Sequence, residues 1–209
     1  MTNMLRRLFL IAALALIVAP ALSVTPARAE ADDARKFVEG LAEHAIATVA
    51  DRQLTEQARD DRFRNLFISS FDIPGIGQFV LGRYWKLATP DQQQEFLKLF
   101  EEMNVLTWAK RFKDYQGETL KTLGANKEGE RGWLVDSQIV RPQGPPIPVQ
   151  WDLRENGDGF RVVDIIVEGV RMGVTYRSDY SSAMQANGGK FDALLATMRT
   201  KLDQLRAAG

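Results

Sequence analysis

Side chains that could support enzymatic chemistry are scarce in this sequence. The chain of 209 residues contains one histidine, His44, and no cysteine. The lack of cysteine excludes thiol catalysis, thiolate metal sites and attachment of a lipid anchor through cysteine. His44 falls near the edge of the apolar stripe of a predicted helix, which favours a partly exposed surface histidine over a catalytic base. No cluster of His, Asp and Glu at ligand spacing accompanies it, so we expect neither a metal site nor a cofactor.

Asp164 is the carboxylate that most warrants a functional hypothesis, because it stands in an otherwise apolar predicted strand. A buried acid at this position could be catalytic. The alternative is a structural Asp whose oxygens accept hydrogen bonds. Both interpretations remain open from the sequence.

Two glycine- or aspartate-rich segments resemble ligand loops only superficially. Gly75-x-Gly77 lacks the spacing of a phosphate-binding loop and does not follow a predicted strand, so a bend between helical pieces explains it. Asp152, Asn156 and Asp158 have the spacing of calcium ligands, but no Glu closes the loop. A hairpin turn is the better interpretation.

The N-terminus has the pattern of an export signal. Arg6 and Arg7 precede an apolar run from Leu8 to Ala19, and small residues ending at Ala29 precede the first acidic residue. This pattern predicts a signal peptide over residues 1–29 and a single domain over 30–209. An uncleaved membrane anchor is the weaker alternative, because a spanning helix needs about 20 apolar residues. With 27 basic and 27 acidic residues, the chain does not have the charge of a nucleic-acid binder.

Hydrophobic spacing predicts helices before and after a central sheet. Two amphipathic helices are expected over 31–51 and 55–70, followed by a bend or helical corner at 73–77. Thr89, Pro90 and Gln92 form a strong helix-start signal for a long helix that reaches about residue 115. The C-terminal half of that helix is apolar on two faces, because Val105 and Trp108 project from its otherwise polar side.

Alternating apolar residues predict strands over 118–123, 131–141, 147–154 and 159–167. In the third strand Val149 and Trp151 share the apolar face, while Asp152 falls on the wet face. Helices are expected again over 178–185 and from Phe191 onward. The fold class is therefore α+β: N-terminal helices, a curled four-stranded antiparallel meander and C-terminal helices, which together enclose an apolar cavity.

Aromatic residues are concentrated on elements that we expect to face one another. Such residues commonly form a filled core, but a single sheet cannot cover both apolar faces of the long helix, which favours a cavity. The residues concerned are Tyr84, Trp85, Trp108, Phe112, Trp133 and Trp151.

Three blocks of residues carry a resemblance to a known family. They are Tyr84-Trp85 with Thr89-Pro90-x-Gln92 and Phe96; Trp108-x-x-x-Phe112; and Val163-Asp164-Ile165-x-Val167-Glu168-Gly169-Val170 leading to Thr175-Tyr176-Arg177-x-x-Tyr180. With these blocks, the sequence resembles the MlaC family of periplasmic phospholipid-binding proteins. The family is also described as toluene-tolerance proteins or auxiliary components of ABC transporters, and it has a hopanoid-associated branch.

The resemblance implies a carrier in the periplasm that holds a diacyl phospholipid between sheet and helices. It also implies two partners, an outer-membrane lipoprotein complex and an inner-membrane ABC transporter, and a role in outer-membrane lipid asymmetry. A carrier is physically necessary because exposing some 30 methylenes to water costs on the order of 20 kcal/mol. Sheathing both tails would need a cavity toward the upper end of the usual range, roughly 1,000 Å³.

Candidate contacts follow from the predicted cavity. We expect its walls to be formed by Ile73, Ile76, Val80, Val105, Trp108, Phe112, Trp133, Val149, Trp151 and Ile165. A lipid phosphate at the mouth could pair with Arg83, Arg171 or Arg177. Two rivals remain: a cavity enzyme of isomerase or dehydratase type, with Asp164 or another acid inside the cavity, and an interaction module with a filled core.

Overall fold

The computed structural model describes residues 26–51, 53–113, 115–157 and 159–207. The predicted signal peptide lies outside these residues up to position 25, and its last four residues belong to the first helix, α1 (Pro26–Ala50). No helix in the described ranges combines the length and apolar character that a membrane crossing requires.

In the described ranges, α1 is followed by five further α-helices, one 3₁₀ helix and five strands. They are α2 (Glu56–Ser70), α3 (Ile73–Leu81), a 3₁₀ helix (Gly82–Leu87), α4 (Pro90–Lys113), β1 (Thr119–Glu128), β2 (Gly132–Val140), β3 (Ile147–Glu155), β4 (Phe160–Val167), β5 (Val170–Arg171), α5 (Met172–Ala186) and α6 (Phe191–Ala207).

Local capping explains where two of the helices begin. At the start of α4, Thr89 Oγ1 accepts from the backbone N–H of Gln92 (3.3 Å), and Gln92 Oε1 accepts from the backbone N–H of Thr89 (2.9 Å). This reciprocal pair is the predicted capping box. Residues 73–77, where a bend or helical corner was predicted, form the start of α3. Asp72 caps that helix at the N–H of Gly75, and Pro74 is tolerated because the first turn needs no donor from it.

The sheet is an open antiparallel meander with strand order β1-β2-β3-β4-β5. The four predicted strands are present, and β5 is a short addition that pairs Val170 with Val167. The turn between them places Glu168 at φ 50° and Gly169 at φ 81°. Helix α5 is also longer than predicted, because it begins directly after β5 at Met172 rather than near residue 178.

One residue of β3 departs from the predicted alternation of buried and wet positions. Val149 and Leu153 are buried on the inner face as expected, but Asp152, predicted to be wet, is only 4% exposed. The reason is electrostatic. Arg154 Nη1 lies 2.8 Å from one carboxylate oxygen of Asp152, and Arg171 Nη1 lies 2.9 Å from the other. Two cationic side chains therefore cover the carboxylate and satisfy its oxygens.

The interior consists of two apolar clusters rather than one. The helical core is formed by the helices from α2 through α6, and it contains Phe96, Met184 and Leu194. The sheet core lies between α1 and the inner face of the sheet and contains Val38 and Trp133.

Candidate ligand cavity

An apolar cavity of about 230 Å³ lies between the two cores and is partly open to solvent. Helices α1, α2 and the end of α4 form one side, and the inner face of the sheet forms the other. The lining consists of Leu41, Ala42, Ala45, Ile46, Phe63, Leu66, Phe67, Phe71, Trp108, Tyr115, Glu118, Leu120, Ile139, Val149, Trp151, Ile165 and Val167. Phe71 packs against both cores and also lines the cavity. The cavity therefore lies at the junction between the two cores.

The two halves of α1 have different roles. Ala34 and Val38, in the first half, are fully buried in the sheet core. Ala42, Ala45 and Ile46, in the second half, are only half-buried and line the cavity. The first half therefore fixes the helix on the sheet, while the second half borders on empty space.

The polar atoms of the sheet wall are satisfied within the sheet. Trp151 Nε1 donates to Ser137 Oγ (3.0 Å), and Ser137 Oγ donates to the carbonyl oxygen of Val149 (2.8 Å). Ser137 is itself only 3% exposed. Because these donors and acceptors pair with one another, the indole of Trp151 presents hydrocarbon to the cavity.

The structure brings together only part of the predicted lining. Trp108, Val149, Trp151 and Ile165 surround the cavity. Ile73, Ile76, Val80 and Val105 lie in or against the helical core instead, because α3 and the middle of α4 pack there. The side chain of Phe112 lies outside the described part of the structure.

Trp133 does not reach the cavity either. Its ring is 2% exposed in the sheet core, and its Nε1 donates to Glu155 Oε1 (2.9 Å). Lys127 Nζ lies 4.7 Å from the centroid of the Trp133 ring. Hydrogen bonds from Lys127, and then from Trp133, lower the pKa of Glu155. These contacts hold Trp133 at the opposite end of β2 from the cavity-lining Ile139.

The three arginines predicted to bind a phosphate have protein partners. Arg171 pairs with Asp152 (2.9 Å) and Asp164 (3.3 Å), and the Asp152 contact is the main cause of the raised pKa of Arg171. Arg83 donates to the Tyr84 hydroxyl (3.0 Å), and the guanidinium of Arg177 lies 5.2 Å from the Phe79 ring centroid. None of them is among the lining residues within the described ranges.

Asp164 occupies a structural position. Its Oδ1 accepts from the backbone N–H groups of Ile165 and Gly173, both at 2.8 Å, so it fixes the first turn of α5 to β4. Ile165 and Val167 line the cavity, and Asp164 does not. In the described ranges Glu118 is the sole carboxylate in the lining, and no histidine stands beside it. His44 is exposed, with Nδ1 2.7 Å from the carbonyl oxygen of Gly40.

Apart from Trp108, the helical wall of the cavity was not predicted from the sequence. Phe63, Leu66 and Phe67 were visible as an apolar stripe of α2, but nothing in that stripe distinguishes a cavity wall from a packed core. The α1 residues Ala42 and Ala45 are small, and small residues leave little periodic signal. Leu120, Ile139 and Val167 share the inner-face alternation of their strands, and this alternation was the signal that could have located them.

Comparison with known proteins gives consistent results. The model of the family described as "MlaC protein" matches residues 39–200, which is most of the chain. The toluene tolerance protein ttg2D of Pseudomonas putida is 26% identical over 122 residues, which represent 58% of this chain and 57% of that protein. The chain thus spans little more than half the length of that relative.

A solved structure shares the fold. It is a phospholipid-binding protein from Ralstonia solanacearum in complex with a phospholipid, and it superposes with a TM-score of 0.73 at 20% sequence identity. The match covers 83% of this chain and 99% of that one. The predicted α+β fold is confirmed by this likeness.

Proposed function

Since the match to residues 39–200 shows that the chain belongs to the MlaC family, we propose that it is a lipid carrier whose cavity holds the acyl tails of a phospholipid. The observation that carries the proposal is the apolar cavity between α1, α2, α4 and the sheet, with its polar atoms paired inside the wall. The phospholipid complex formed by the Ralstonia solanacearum protein of the same fold supports the same class of ligand.

The size of the cavity has a mechanical consequence. An apolar cavity of roughly 150 Å³ holds a ligand the size of benzene, so a cavity of about 230 Å³ holds only part of two acyl tails. We therefore propose that loading moves the second half of α1 and the adjoining α2 away from the sheet. The incoming tails then supply the hydrocarbon contacts that the separated elements lose.

The proposed carrier works between two membranes. In this proposal residues 1–29 are removed on export, the domain 30–209 acts in the periplasm, and it moves lipid between an outer-membrane lipoprotein complex and an inner-membrane ABC transporter. Burial of some 30 methylenes is worth on the order of 20 kcal/mol, which makes spontaneous release too slow to be useful. Unloading therefore requires docking to a partner that opens the cavity.

Native mass spectrometry of the protein purified from cells without added lipid tests the carrier proposal. The expected result is a population heavier than the bare chain by the mass of one phospholipid, with the lipid identified after extraction. Bare protein alone at every gentle ionisation setting would contradict the proposal. N-terminal sequencing of the exported protein tests the processing site, and a first residue other than Glu30 would move it.

Asp164 was the main candidate residue for the alternative hypothesis, a cavity enzyme. Asp164 is engaged by two backbone donors and Arg171, and it does not line the cavity. We propose no catalytic activity for the chain.

A further inference from the structure

An exposed cation stacks on one of the side chains that form the cavity wall. The guanidinium carbon of Arg111 is 5.0 Å from the centroid of the Trp108 ring, and Trp108 forms part of the cavity wall. Arg111 itself is exposed. Stacking on the ring holds the guanidinium next to the cavity without removing it from solvent.

A carboxylate borders on the same cavity. Glu118 lines it and is half-buried, and its Oε2 accepts a hydrogen bond from the backbone N–H of Gln116 (2.8 Å). A carboxylate is unfavourable beside buried acyl tails, and Glu118 is the one charged side chain that the described residues contribute to this otherwise apolar lining. An ion of opposite sign in the ligand would offset that cost.

Arg111 and Glu118 lie close together along the chain. Arg111 is in the last turn of α4, which ends at Lys113, and Glu118 directly precedes β1, which begins at Thr119. Tyr115, between the two in sequence, also lines the cavity. Burial raises the pKa of Tyr176 on α5, and the positive charge of Arg111 opposes that rise. Arg111 is therefore within electrostatic reach of α5, which starts where the sheet ends next to the lining residue Val167.

We infer that Arg111 and Glu118 form a headgroup site that favours a zwitterionic phospholipid, in which Arg111 pairs with the phosphate and Glu118 pairs with a primary ammonium. The inference rests on the proposed carrier function and adds the headgroup class to it. A guanidinium can pair with a phosphate, and a carboxylate can pair with an ammonium, through charge-assisted hydrogen bonds. The phosphate of phosphatidylglycerol can pair with Arg111, but its glycerol headgroup offers no cation to Glu118. The site should therefore prefer phosphatidylethanolamine to phosphatidylglycerol.

A competition experiment tests this site. Delipidated protein is incubated with vesicles that contain equal amounts of phosphatidylethanolamine, phosphatidylglycerol and diacylglycerol with the same acyl chains. The protein is then recovered, and its bound lipids are quantified by mass spectrometry. The wild-type protein is expected to prefer phosphatidylethanolamine to phosphatidylglycerol by about two- to fivefold, the range typical of ion pairs at a solvated rim.

Variants of the two residues separate their roles. Glu118→Gln is expected to bring the ratio of phosphatidylethanolamine to phosphatidylglycerol to about one. Arg111→Gln is expected to lower both phospholipids by about two- to fivefold relative to diacylglycerol, which has no phosphate. Lys110→Gln on the same helix and Glu130→Gln in the distant β1–β2 turn are matched controls, because both residues are exposed and neither lines the cavity.

The outcomes distinguish the headgroup site from the carrier function. Wild-type protein that binds phospholipid without headgroup preference, or variants that behave like their controls, would overturn the headgroup site and leave the carrier proposal standing. Failure of the wild-type and control proteins to retain any of the three lipids would overturn both.

Discussion

Trp151 Nε1 donates a hydrogen bond to Ser137 Oγ at 3.0 Å, across the β2–β3 ladder and directly behind the cavity wall. Ser137 Oγ in turn donates to the carbonyl oxygen of Val149 (2.8 Å). The pair explains how a side chain with a polar group can form part of an apolar wall. The polar atom of the indole points into the sheet and is satisfied there, so the remainder of the ring is available for hydrocarbon.

Ser137→Ala is expected to lower the free energy of unfolding by about 1–3 kcal/mol, because it leaves the indole N–H of Trp151 buried without an acceptor. Urea denaturation measures the change. Ser178→Ala is the control, since Ser178 is exposed on α5 and its removal is expected to change stability by less than about 0.5 kcal/mol. An equal effect of the two substitutions would show that the bond to Trp151 contributes nothing.

The buried carboxylate of Asp152 should make the sheet sensitive to loss of Arg171. Arg171→Gln is expected to destabilise the protein by about 1–2 kcal/mol, less than for a fully buried pair, because Arg171 is 41% exposed and Arg154 remains in place. In a double-mutant cycle with Asp152→Asn, the combined loss should fall short of the sum by at least about 0.5 kcal/mol. Strict additivity would contradict a direct coupling of the two side chains.

The sequence predicted the elements better than their junctions. Helix α4 was located correctly because Thr89 and Gln92 cap it through local contacts that depend only on spacing. The four long strands were located by alternation. The start of α3 was not predicted, because a Pro-Gly segment is typical of bends, and the Asp72 side chain, which caps the helix, converts it into a helix start.

Apart from Trp108 on α4, the predicted residues that line the cavity are those on the inner face of a strand. Val149, Trp151 and Ile165 follow from alternation on β3 and β4. Trp133 has the same alternation but lies at the other end of β2, where Glu155 and Lys127 hold it in the sheet core. Position along a strand relative to a cavity depends on how α1 and α2 pack, and this packing has no periodic signature in the sequence.

Glu168 is the one non-glycine residue of the described ranges with a positive φ, 50°. Asn adopts this conformation more readily and is the favoured partner of a following glycine in a two-residue hairpin turn. Glu168→Asn is therefore expected to raise the free energy of unfolding by about 0.5–1 kcal/mol. Thermal and urea unfolding would measure the gain, with Glu130→Asn as a control at a position without a positive φ. A loss of stability would mean that the Glu168 side chain makes a contribution larger than the strain of its backbone.

A matched pair of substitutions on α1 tests whether the cavity is the lipid site. Ala45 lines the cavity, whereas Ala47, two residues later on the same helix, is exposed. Ala45→Phe places a phenyl ring in a space of about 230 Å³, so the fold should be retained with a stability change below about 1.5 kcal/mol. Room for acyl tails should disappear, and the lipid recovered with the purified protein should fall at least tenfold, which corresponds to about 1.4 kcal/mol of binding free energy.

Ala47→Phe adds the same ring on the solvent side of α1 and should leave bound lipid unchanged. The comparison removes helix propensity and side-chain size as explanations, since both variants introduce the same residue into the same helix. Circular dichroism confirms that each variant is folded before lipid is quantified by extraction and mass spectrometry. Equal lipid content in the two variants would show that acyl tails lie elsewhere, because a ring inside the cavity and a tail cannot occupy the same volume.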